Sequence, residues 1–301
     1  MKKLIRVGSR ESKLAVIQAQ LVIEIIKRHH PELEFEHITM KTSGDMVLDR
    51  SLDEVCGKGL FVKELDVGLR CGQIDIAVHS LKDMPMDTPE DLPIVSFTKR
   101  ENPFDALVLP LGVENVDFEK PIGCSSARRM LQLELLYPNV RIKGIRGNVL
   151  LRLEKVDGGD YAATVLACAG LNRIGLQNRI SKVFTEDEMI PAAGQGILAV
   201  QGRQGDDFTY LECVDDLPSR LAAITERAFV RRHDGGCSSP IAAFARITGQ
   251  HITLHGLNYD EASGRHSIGS MEMPISDAEK LGCTLADRLR QIVLCNEGEA
   301  I

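Results

Sequence analysis

Apolar and polar positions in the first part of the chain alternate in a way that predicts a strand, a helix and a second strand. Leu4–Val7 and Phe35–Met40 have the short period of strands. Gly8–Arg10 predicts a turn between the first strand and the helix, and Ser12 has the side chain of a helix N-cap. A stripe of apolar residues then recurs at helical spacing. It consists of Leu14, Ile17, Leu21 and Ile25.

The same order of short apolar runs and helical stripes continues to about residue 200. Further helices are expected at Leu60–Arg70, Ala127–Leu136 and Val149–Val156, and further strands at Ile74–Val78, Ala106–Leu109, Val140–Ile145, Ala163–Leu166 and Ile197–Val200. Turns are expected at Gly123–Ser126 and at Ala167–Gly170. Lys41–Gly59 is rich in Gly, Asp and Ser, which predicts a long mobile loop of the kind that often covers a site.

After Pro218 the pattern changes to one helix, three strands (240–247, 251–258 and 265–271) and a final helix at 276–294. Strands that alternate with helices form α/β sheets, whereas strands grouped together form an α+β module. We therefore expect two doubly wound α/β domains and a small α+β third domain with a three-stranded sheet. The predicted boundaries are 1–98 with 196–214, 104–191, and 217–301.

The composition is that of a soluble globular protein, with 301 residues, 44% apolar and 26% charged. The chain has no apolar run of membrane-span length and no signal-peptide pattern at its start, so we expect a cytoplasmic protein. Its net charge of −7 disfavours nucleic acid and anionic membranes as partners. Eight cysteines without a Cys-x-x-Cys pair predict free thiols rather than disulfides or zinc. His251 and His255 are four residues apart, but they lie in a strand-like segment, and no metal site is expected.

Arginines are concentrated at the junctions between predicted strands and helices. Arg128 and Arg129 occupy the first turn of a predicted helix, where positive charge opposes the helix dipole. A bound carboxylate or phosphate would reverse that cost, and the alternative is a solvated face. Arg146, Arg152 and Arg173 follow at similar junctions, and Gly8–Ser12 leads into a helix N-terminus. Because a guanidinium binds carboxylates through two parallel hydrogen bonds, this set indicates an anion with several acidic groups.

Two further features could carry chemistry. Asp83, next to Lys82, follows an apolar strand, at the end where ligands of open α/β sheets bind. The alternative is a turn closed by its own ion pair. Cys237 follows Gly235-Gly236 just beyond a helix, where an exposed thiol is open to modification. The chain has no Walker A loop, no G-x-G-x-x-G and no evident Ser-His-Asp or Cys-His arrangement, so nucleotide-binding and hydrolase classes are disfavoured.

With these residues in place, the chain resembles the porphobilinogen deaminase family over nearly its full length. The matching segments are Val7–Arg10, Gly57–Leu65, Ala77–Pro85, Ser125–Arg129, Ile145–Asn148, Ala169–Arg173, Pro191–Gly196 and Gly235–Cys237. The resemblance implies two domains like those of type II periplasmic binding proteins, and an enzyme that joins four porphobilinogen molecules into hydroxymethylbilane with release of ammonia. It also implies a dipyrromethane cofactor bound to Cys237 through a thioether, and a monomer as the active form.

The resemblance also implies roles for individual residues. Asp83 matches the catalytic carboxylate, and Lys41–Gly59 matches a mobile loop at the active site. The cofactor-binding and substrate-binding positions match Arg10, Ser12, Lys58, Phe61, Lys82, Ser126, Arg128, Arg129, Arg146, Arg152 and Arg173. The chain departs from the family at Cys124, which stands where Thr is common, and at Ala127, Glu54 and Gln201.

Two other classes remain open at this point. A non-catalytic clamshell that closes on an anionic solute would explain the arginines, but it would leave Cys237 and the third domain without a role. A thiol-dependent enzyme with Cys237 as its nucleophile would be inactivated by alkylating agents and would carry no stable adduct beforehand.

Overall fold

The structure is a computed structural model that describes residues 3–42, 62–235 and 239–295. The chain divides into two compact units. Unit 1 comprises Met1–Glu101 with Gly196–Arg220, and unit 2 comprises Asn102–Gln195 with Leu221–Ile301.

Unit 1 is a five-stranded sheet with helices on both faces. Its elements are β1 (Leu4–Arg10), α1 (Lys13–His29), β2 (Glu34–Met40), α2 (Lys63–Arg70), β3 (Ile76–Ser80), β4 (Ile94–Phe97) and, after the excursion into unit 2, the strand Leu198–Gly202. The strand order is β2-β1-β3, then the returning strand, then β4. β1 runs parallel to β2 and β3, and the returning strand is antiparallel to its two neighbours. The predicted return of Ile197–Val200 to the first sheet is confirmed.

Helix α1 forms as predicted but buries a different face. Ser12 Oγ accepts a hydrogen bond from the Ala15 amide, which confirms Ser12 as the N-cap. The residues that α1 buries in the core of unit 1 are Ala15, Gln18, Ala19, Val22, Ile23 and Ile26. Leu21, which belongs to the predicted stripe, is 38% exposed. The predicted stripe is therefore wrong by about one position, because a buried polar residue, Gln18, interrupts the true apolar face.

The turn predicted at Gly8–Arg10 is also wrong, because β1 continues through Arg10 in register with β2. Gly8 fits a strand at this point, since a β-carbon there would collide with the side chain of Ile74. The continuation carries Arg10 to the carboxyl end of the sheet, where it pairs with Met40.

Unit 2 contains a second five-stranded sheet of the same kind. Its elements are β5 (Asp105–Val108), β6 (Ile122–Gly123), α3 (Ala127–Leu136), β7 (Ile142–Lys143), α4 (Val149–Asp157), β8 (Ala163–Ala167), α5 (Cys168–Arg173) and β9 (Lys182–Val183). The strand order is β7-β6-β8-β5-β9. The predicted turn at Ala167–Gly170 is instead the start of α5, because Cys168 and Leu171 are buried against the sheet at helical spacing.

The rest of unit 2 is an antiparallel sheet with two helices. After β10, the strand at Leu198–Gly202, the chain forms α6 (Leu217–Arg232), β11 (Ala242–Thr248), β12 (His251–Asp260), β13 (Arg265–Pro274) and α7 (Ala278–Cys295). The strands pair in the order β11-β12-β13, which confirms the predicted three-stranded sheet. Gly282 of α7 allows close approach to α6, since a β-carbon there would collide with the Thr225 carbonyl oxygen. The fold class is thus α/β, with two five-stranded sheets and a separate three-stranded sheet.

Candidate active site

Asp83 lies where strand β3 ends, in a single turn of 3-10 helix formed by Leu81–Asp83. The turn is held by the Leu81 amide, which donates to the Ile197 carbonyl oxygen at 3.0 Å, and by the Met84 amide, which donates to Leu81. Lys82 and Asp83 are both half-buried in this turn. Asp83 therefore stands on a backbone fixed at both ends rather than in a free loop.

A cleft at this edge of unit 1 brings Asp83 together with side chains from β1, α1 and β3. Its polar lining residues are Arg10, Gln18, His79, Ser80 and Asp83. Gln18 Nε2 lies 2.9 Å from Ser80 Oγ, so the buried amide of α1 is tied to the last residue of β3. The cleft thus combines a carboxylate, a guanidinium and neutral hydrogen-bonding groups.

Arg10 is supported through its own backbone. Ser9 Oγ donates to the Arg10 carbonyl oxygen at 2.9 Å and lies 2.8 Å from His37 Nε2. Since the Ser9 hydroxyl hydrogen is used on Arg10, the His37 nitrogen is the donor to Ser9. Burial lowers the pKa of His37, which favours the neutral imidazole.

His79 is a buried polar residue of the cleft that the sequence did not single out. Its Nε2 lies 3.1 Å from Gln201 Oε1, and Gln201 Nε2 donates to the Leu92 carbonyl oxygen at 2.9 Å. Because Leu92 fixes the orientation of the amide, Nε2 of His79 carries the proton and donates it. Burial, opposed by the bond to Gln201 and assisted by the charge of Arg10, lowers the pKa of His79 to about 4.

In unit 2, Arg128 and Arg129 share a buried carboxylate, Asp105, which was not selected from the sequence. Arg128 Nη1 donates to Asp105 Oδ2 at 2.8 Å, and Arg129 donates to Asp105 Oδ1 through Nε at 3.0 Å and Nη2 at 2.6 Å. Asp105 is 0% exposed, and Arg128 is only 4% exposed. A solvated face, one of the two alternatives for these arginines, is therefore wrong.

The three remaining arginines that the sequence selected in unit 2 are all half-buried. Arg146 directly precedes Gly147, whose carbonyl oxygen accepts a hydrogen bond from Arg152 Nε at 2.8 Å. Arg173 is the last residue of α5. Ser126 precedes α3 as its N-cap residue, but its side chain makes no capping bond.

Three of the predicted site residues, Lys58, Phe61 and Cys237, lie outside the described residues, as does most of the loop predicted at Lys41–Gly59. The described neighbours of Cys237 are held in place. The Gly235 amide donates to the Val230 carbonyl oxygen at 3.0 Å, and a β-carbon on Gly235 would approach Ser239 Oγ to 3.0 Å. Asp234 adopts the left-handed conformation (φ 54°) at the same turn.

Four of the predicted site residues therefore form two groups. Arg10 and Asp83 line one cleft of unit 1, and Arg128 and Arg129 meet at Asp105 in unit 2. Sequence reasoning missed Gln18, His79 and Asp105. Each is a polar residue within a largely apolar stretch, and that contrast is the only sign of such a group in the sequence.

The described parts of the chain contain no group of three or more His, Cys, Asp or Glu side chains that could hold a metal ion. Across residues 3–42, 62–235 and 239–295, no helix has the length and apolar character needed to cross a bilayer.

Two solved structures align with most of this chain at low sequence identity. The second substrate binding domain of a putative amino acid ABC transporter from Streptococcus pneumoniae aligns with a TM-score of 0.44 at 14% identity, over 75% of this chain and 96% of that one. The BenM effector binding domain with its effector benzoate aligns with a TM-score of 0.42 at 16% identity, over 71% of this chain and 89% of that one.

Sequence relatives are much closer. Residues 5–210 match the family model described as porphobilinogen deaminase, dipyromethane cofactor binding domain, and residues 220–291 match its C-terminal domain. The porphobilinogen deaminase of Acetivibrio thermocellus is 52% identical, over 94% of this chain and 96% of the relative. That of Alkaliphilus oremlandii is 50% identical, over 95% and 96%. The chain belongs to the porphobilinogen deaminase family.

Proposed function

We propose that this chain joins four porphobilinogen molecules head to tail into hydroxymethylbilane, releasing one ammonia per unit, from a dipyrromethane primer attached to Cys237. One observation carries the chemistry, namely a carboxylate, Asp83, at the carboxyl end of β3 in the same cleft as the Arg10 guanidinium. The family match over both segments of the chain supports the reaction type.

The donor chemistry of unit 2 fits a cofactor that carries several carboxylates. Arg128 Nη1 donates hydrogen bonds to Asp105 and to the Ile190 carbonyl oxygen. Its Nε and Nη2, by contrast, make no hydrogen bond to any residue that the structure describes. Burial lowers the pKa of the Arg128 guanidinium, and the charge of Asp105 offsets this only in part. A buried cation with unused donors favours a second carboxylate as its partner.

The proposed residue roles follow from charge. Asp83 stabilises the cation that develops on the substrate as ammonia departs, and it accepts hydrogen bonds from pyrrole N–H groups. Acetate and propionate groups are bound by the arginines. When bound, the dipyrromethane supplies the pyrrole carbon at which the chain of rings is extended. The residues proposed to hold the cofactor and substrate are Arg10, Ser12, Lys58, Phe61, Lys82, Ser126, Arg128, Arg129, Arg146, Arg152 and Arg173.

We further propose that the protein works as a cytoplasmic monomer with porphobilinogen as its small-molecule partner and with no nucleic-acid or membrane partner. The net charge of −7 supports the absence of polyanionic partners. The three separate sheets support an organisation into three domains, at 1–98 with 196–214, at 104–191 and at 217–301, the last carrying Cys237. Sedimentation of the loaded protein tests the oligomeric state.

Intact-mass measurement of the purified chain tests the tether. We expect a mass excess of two pyrrole units that disappears in Cys237→Ala and remains in the control Cys283→Ala, which changes a half-exposed thiol of the same unit. An unmodified wild-type mass from a host that makes haem would contradict the proposal and favour a solute-binding protein.

Asp83→Asn tests the carboxylate, because it keeps the shape of the side chain and removes its charge. We expect turnover to fall by roughly 10²–10³-fold, as when a group that stabilises transition-state charge is lost. The circular dichroism spectrum and the two-pyrrole mass should be retained. Asp87→Asn, at an exposed position farther along the same segment, is the control and should keep its activity. Near-normal turnover in Asp83→Asn would remove the assigned role.

A further inference from the structure

The carboxylate of Asp105 binds two consecutive arginines in different ways. Its Oδ1 accepts from Arg129 Nε and Nη2 and from Gln195 Nε2 at 3.1 Å, whereas its Oδ2 accepts from Arg128 Nη1. Arg129 Nη1 also donates to the Val165 carbonyl oxygen at 3.0 Å. All three nitrogens of the Arg129 guanidinium therefore donate to the protein, whereas among the described residues Arg128 donates through Nη1 alone.

The single nitrogen that holds Arg128 is fixed from two sides. Nη1 donates to Asp105 Oδ2 at 2.8 Å and to the Ile190 carbonyl oxygen at 2.7 Å, which uses both of its hydrogens. Gln132 in turn holds Ile190, donating to its carbonyl oxygen at 3.1 Å and accepting from its amide at 2.7 Å. Asp105 and the Ile190 carbonyl oxygen thus fix the orientation of the Arg128 guanidinium, and both bind at its Nη1 end.

The opposite edge of that plane, formed by Nε and Nη2, carries three N–H groups. Within the described part of the chain these groups donate to nothing, although the residue is more than nine-tenths buried. The Nε–Nη2 edge is one of the two guanidinium edges that bind a carboxylate through parallel hydrogen bonds. Two guanidiniums against one carboxylate also leave the cluster with an excess positive charge.

We propose that Asp105 is a positioning residue for the reaction, an inference that rests on the proposed function. By engaging Nη1 of Arg128, Asp105 leaves the Nε–Nη2 edge for a carboxylate of the pyrrole chain. Arg129, each of whose three nitrogens donates to the protein, helps to hold the Asp105 carboxylate in place. Of the two arginines bound to Asp105, Arg128 is the one whose Nε and Nη2 make no hydrogen bond to the described residues.

Asp105→Asn tests the inference, because its amide nitrogen would face guanidinium donors and its charge is lost. We expect the fraction of purified chain that carries the two-pyrrole mass to fall, and KM for porphobilinogen of the loaded fraction to rise roughly tenfold or more. Because Asp105 does not itself act on the reacting atoms, kcat should change less than KM. Asp105→Glu, which keeps the charge, should recover part of both losses.

Arg128→Lys is the second variant, and it answers the question if Asp105→Asn does not fold. Its ammonium can still pair with Asp105, but it has no planar edge for a carboxylate. We expect the same loss of loading and rise in KM, with a smaller fall in melting temperature than in Asp105→Asn. Asp157→Asn is the matched control, because it breaks the bond pair from Arg179 in the same unit without touching Arg128.

A purely structural role predicts a lower melting temperature with full loading and unchanged KM in the folded variants, and that result would overturn the inference. Full loading with wild-type KM in Arg128→Lys would overturn it equally. A wild-type chain that carries no pyrrole mass and makes no product contradicts the proposed function itself, and is recognised before any variant is compared; both proposals then fall together.

Discussion

The buried imidazole of His79 makes a quantitative prediction about stability in acid. His79 is 6% exposed, and its pKa in the native protein is about 4, compared with 6.5 for an unperturbed side chain. As the pH falls through 6.5, the unfolded chain takes up a proton on this residue while the native chain does not. The free energy of unfolding therefore decreases between about pH 6.5 and pH 4.

The size of the effect follows from the two pKa values. Each unit of difference corresponds to about 1.4 kcal/mol, so the complete loss is about 3 kcal/mol, reached below pH 4. Between about pH 7.5 and pH 5 the same linkage removes roughly 2 kcal/mol. This is a sizeable part of the stability of an ordinary domain, which is about 5–15 kcal/mol.

The assay is urea unfolding followed by far-UV circular dichroism at about pH 7.5 and about pH 5, for the wild type and for His79→Gln. The glutamine can still donate to Gln201 Oε1 but does not titrate, so the wild type should lose about 2 kcal/mol more than the variant on acidification. His29→Gln, at an exposed position on α1, should behave like the wild type. Equal losses in wild type and His79→Gln would refute the reasoning, because the other titrating groups are common to both.

Two further predictions concern an ion pair at the amino end of β3 and a glycine beside Arg146. Asp75→Asn removes a carboxylate that accepts from the Arg6 amide, from its Nε and from its Nη2, and we expect a loss of about 1–3 kcal/mol in urea unfolding at neutral pH. Burial acts to raise the pKa of Asp75, but the bonds from Arg6 outweigh burial and lower the pKa. The wild type should therefore lose its extra stability over the variant as acid protonates Asp75. If the free energy of unfolding fell equally with pH in both proteins, this role of Asp75 would be excluded. Gly147→Ala places a β-carbon on a residue with φ 113° and against the Leu151 side chain, and should lower the free energy of unfolding by about 1–3 kcal/mol. Because the Gly147 carbonyl oxygen holds Arg152, the change should also weaken porphobilinogen binding. The control Gly72→Ala, with φ 69° and open space around it, should keep KM unchanged, and equal KM values in the two variants would contradict the argument.

The sequence could predict those parts of the fold in which local pattern and tertiary packing agree. The three-stranded sheet after Pro218 follows from regular alternation, and both five-stranded sheets follow from apolar runs that alternate with helical stripes. Helix α1 shows the limit of this reasoning. Its existence and N-cap were predictable, but its buried face was not, because Gln18 is polar and finds its partner, Ser80, on a strand 62 residues away.

The candidate site divides in the same way. Asp83 and Arg10 could be placed at the carboxyl ends of strands from sequence alone, since that position depends only on strand order. The role of Asp105 could not be predicted, because it lies 23 and 24 residues before its arginine partners. It is also the first residue of a strand, where a polar side chain is common and attracts no notice. Gln201, which sets the tautomer of His79, is separated from it by 122 residues. Such partners become visible only when the sheet order is known.

The arginine pair also shows why a count of charges in a sequence differs from a count of hydrogen bonds in a structure. Two arginines in the first turn of α3 oppose the helix dipole, a cost of about 0.3–1 kcal/mol each, and the sequence therefore predicted an external anion. Asp105 supplies one negative charge from within the chain. A count of charges then leaves one positive charge over but does not say which arginine carries it. The hydrogen bonds locate that charge, because every nitrogen of Arg129 donates to the protein, whereas toward the described residues Arg128 uses only Nη1. A carboxylate that binds to Asp105, Arg128 and Arg129 should therefore bind through Arg128. A lysine at that position should keep the positive charge but lose the two parallel hydrogen bonds.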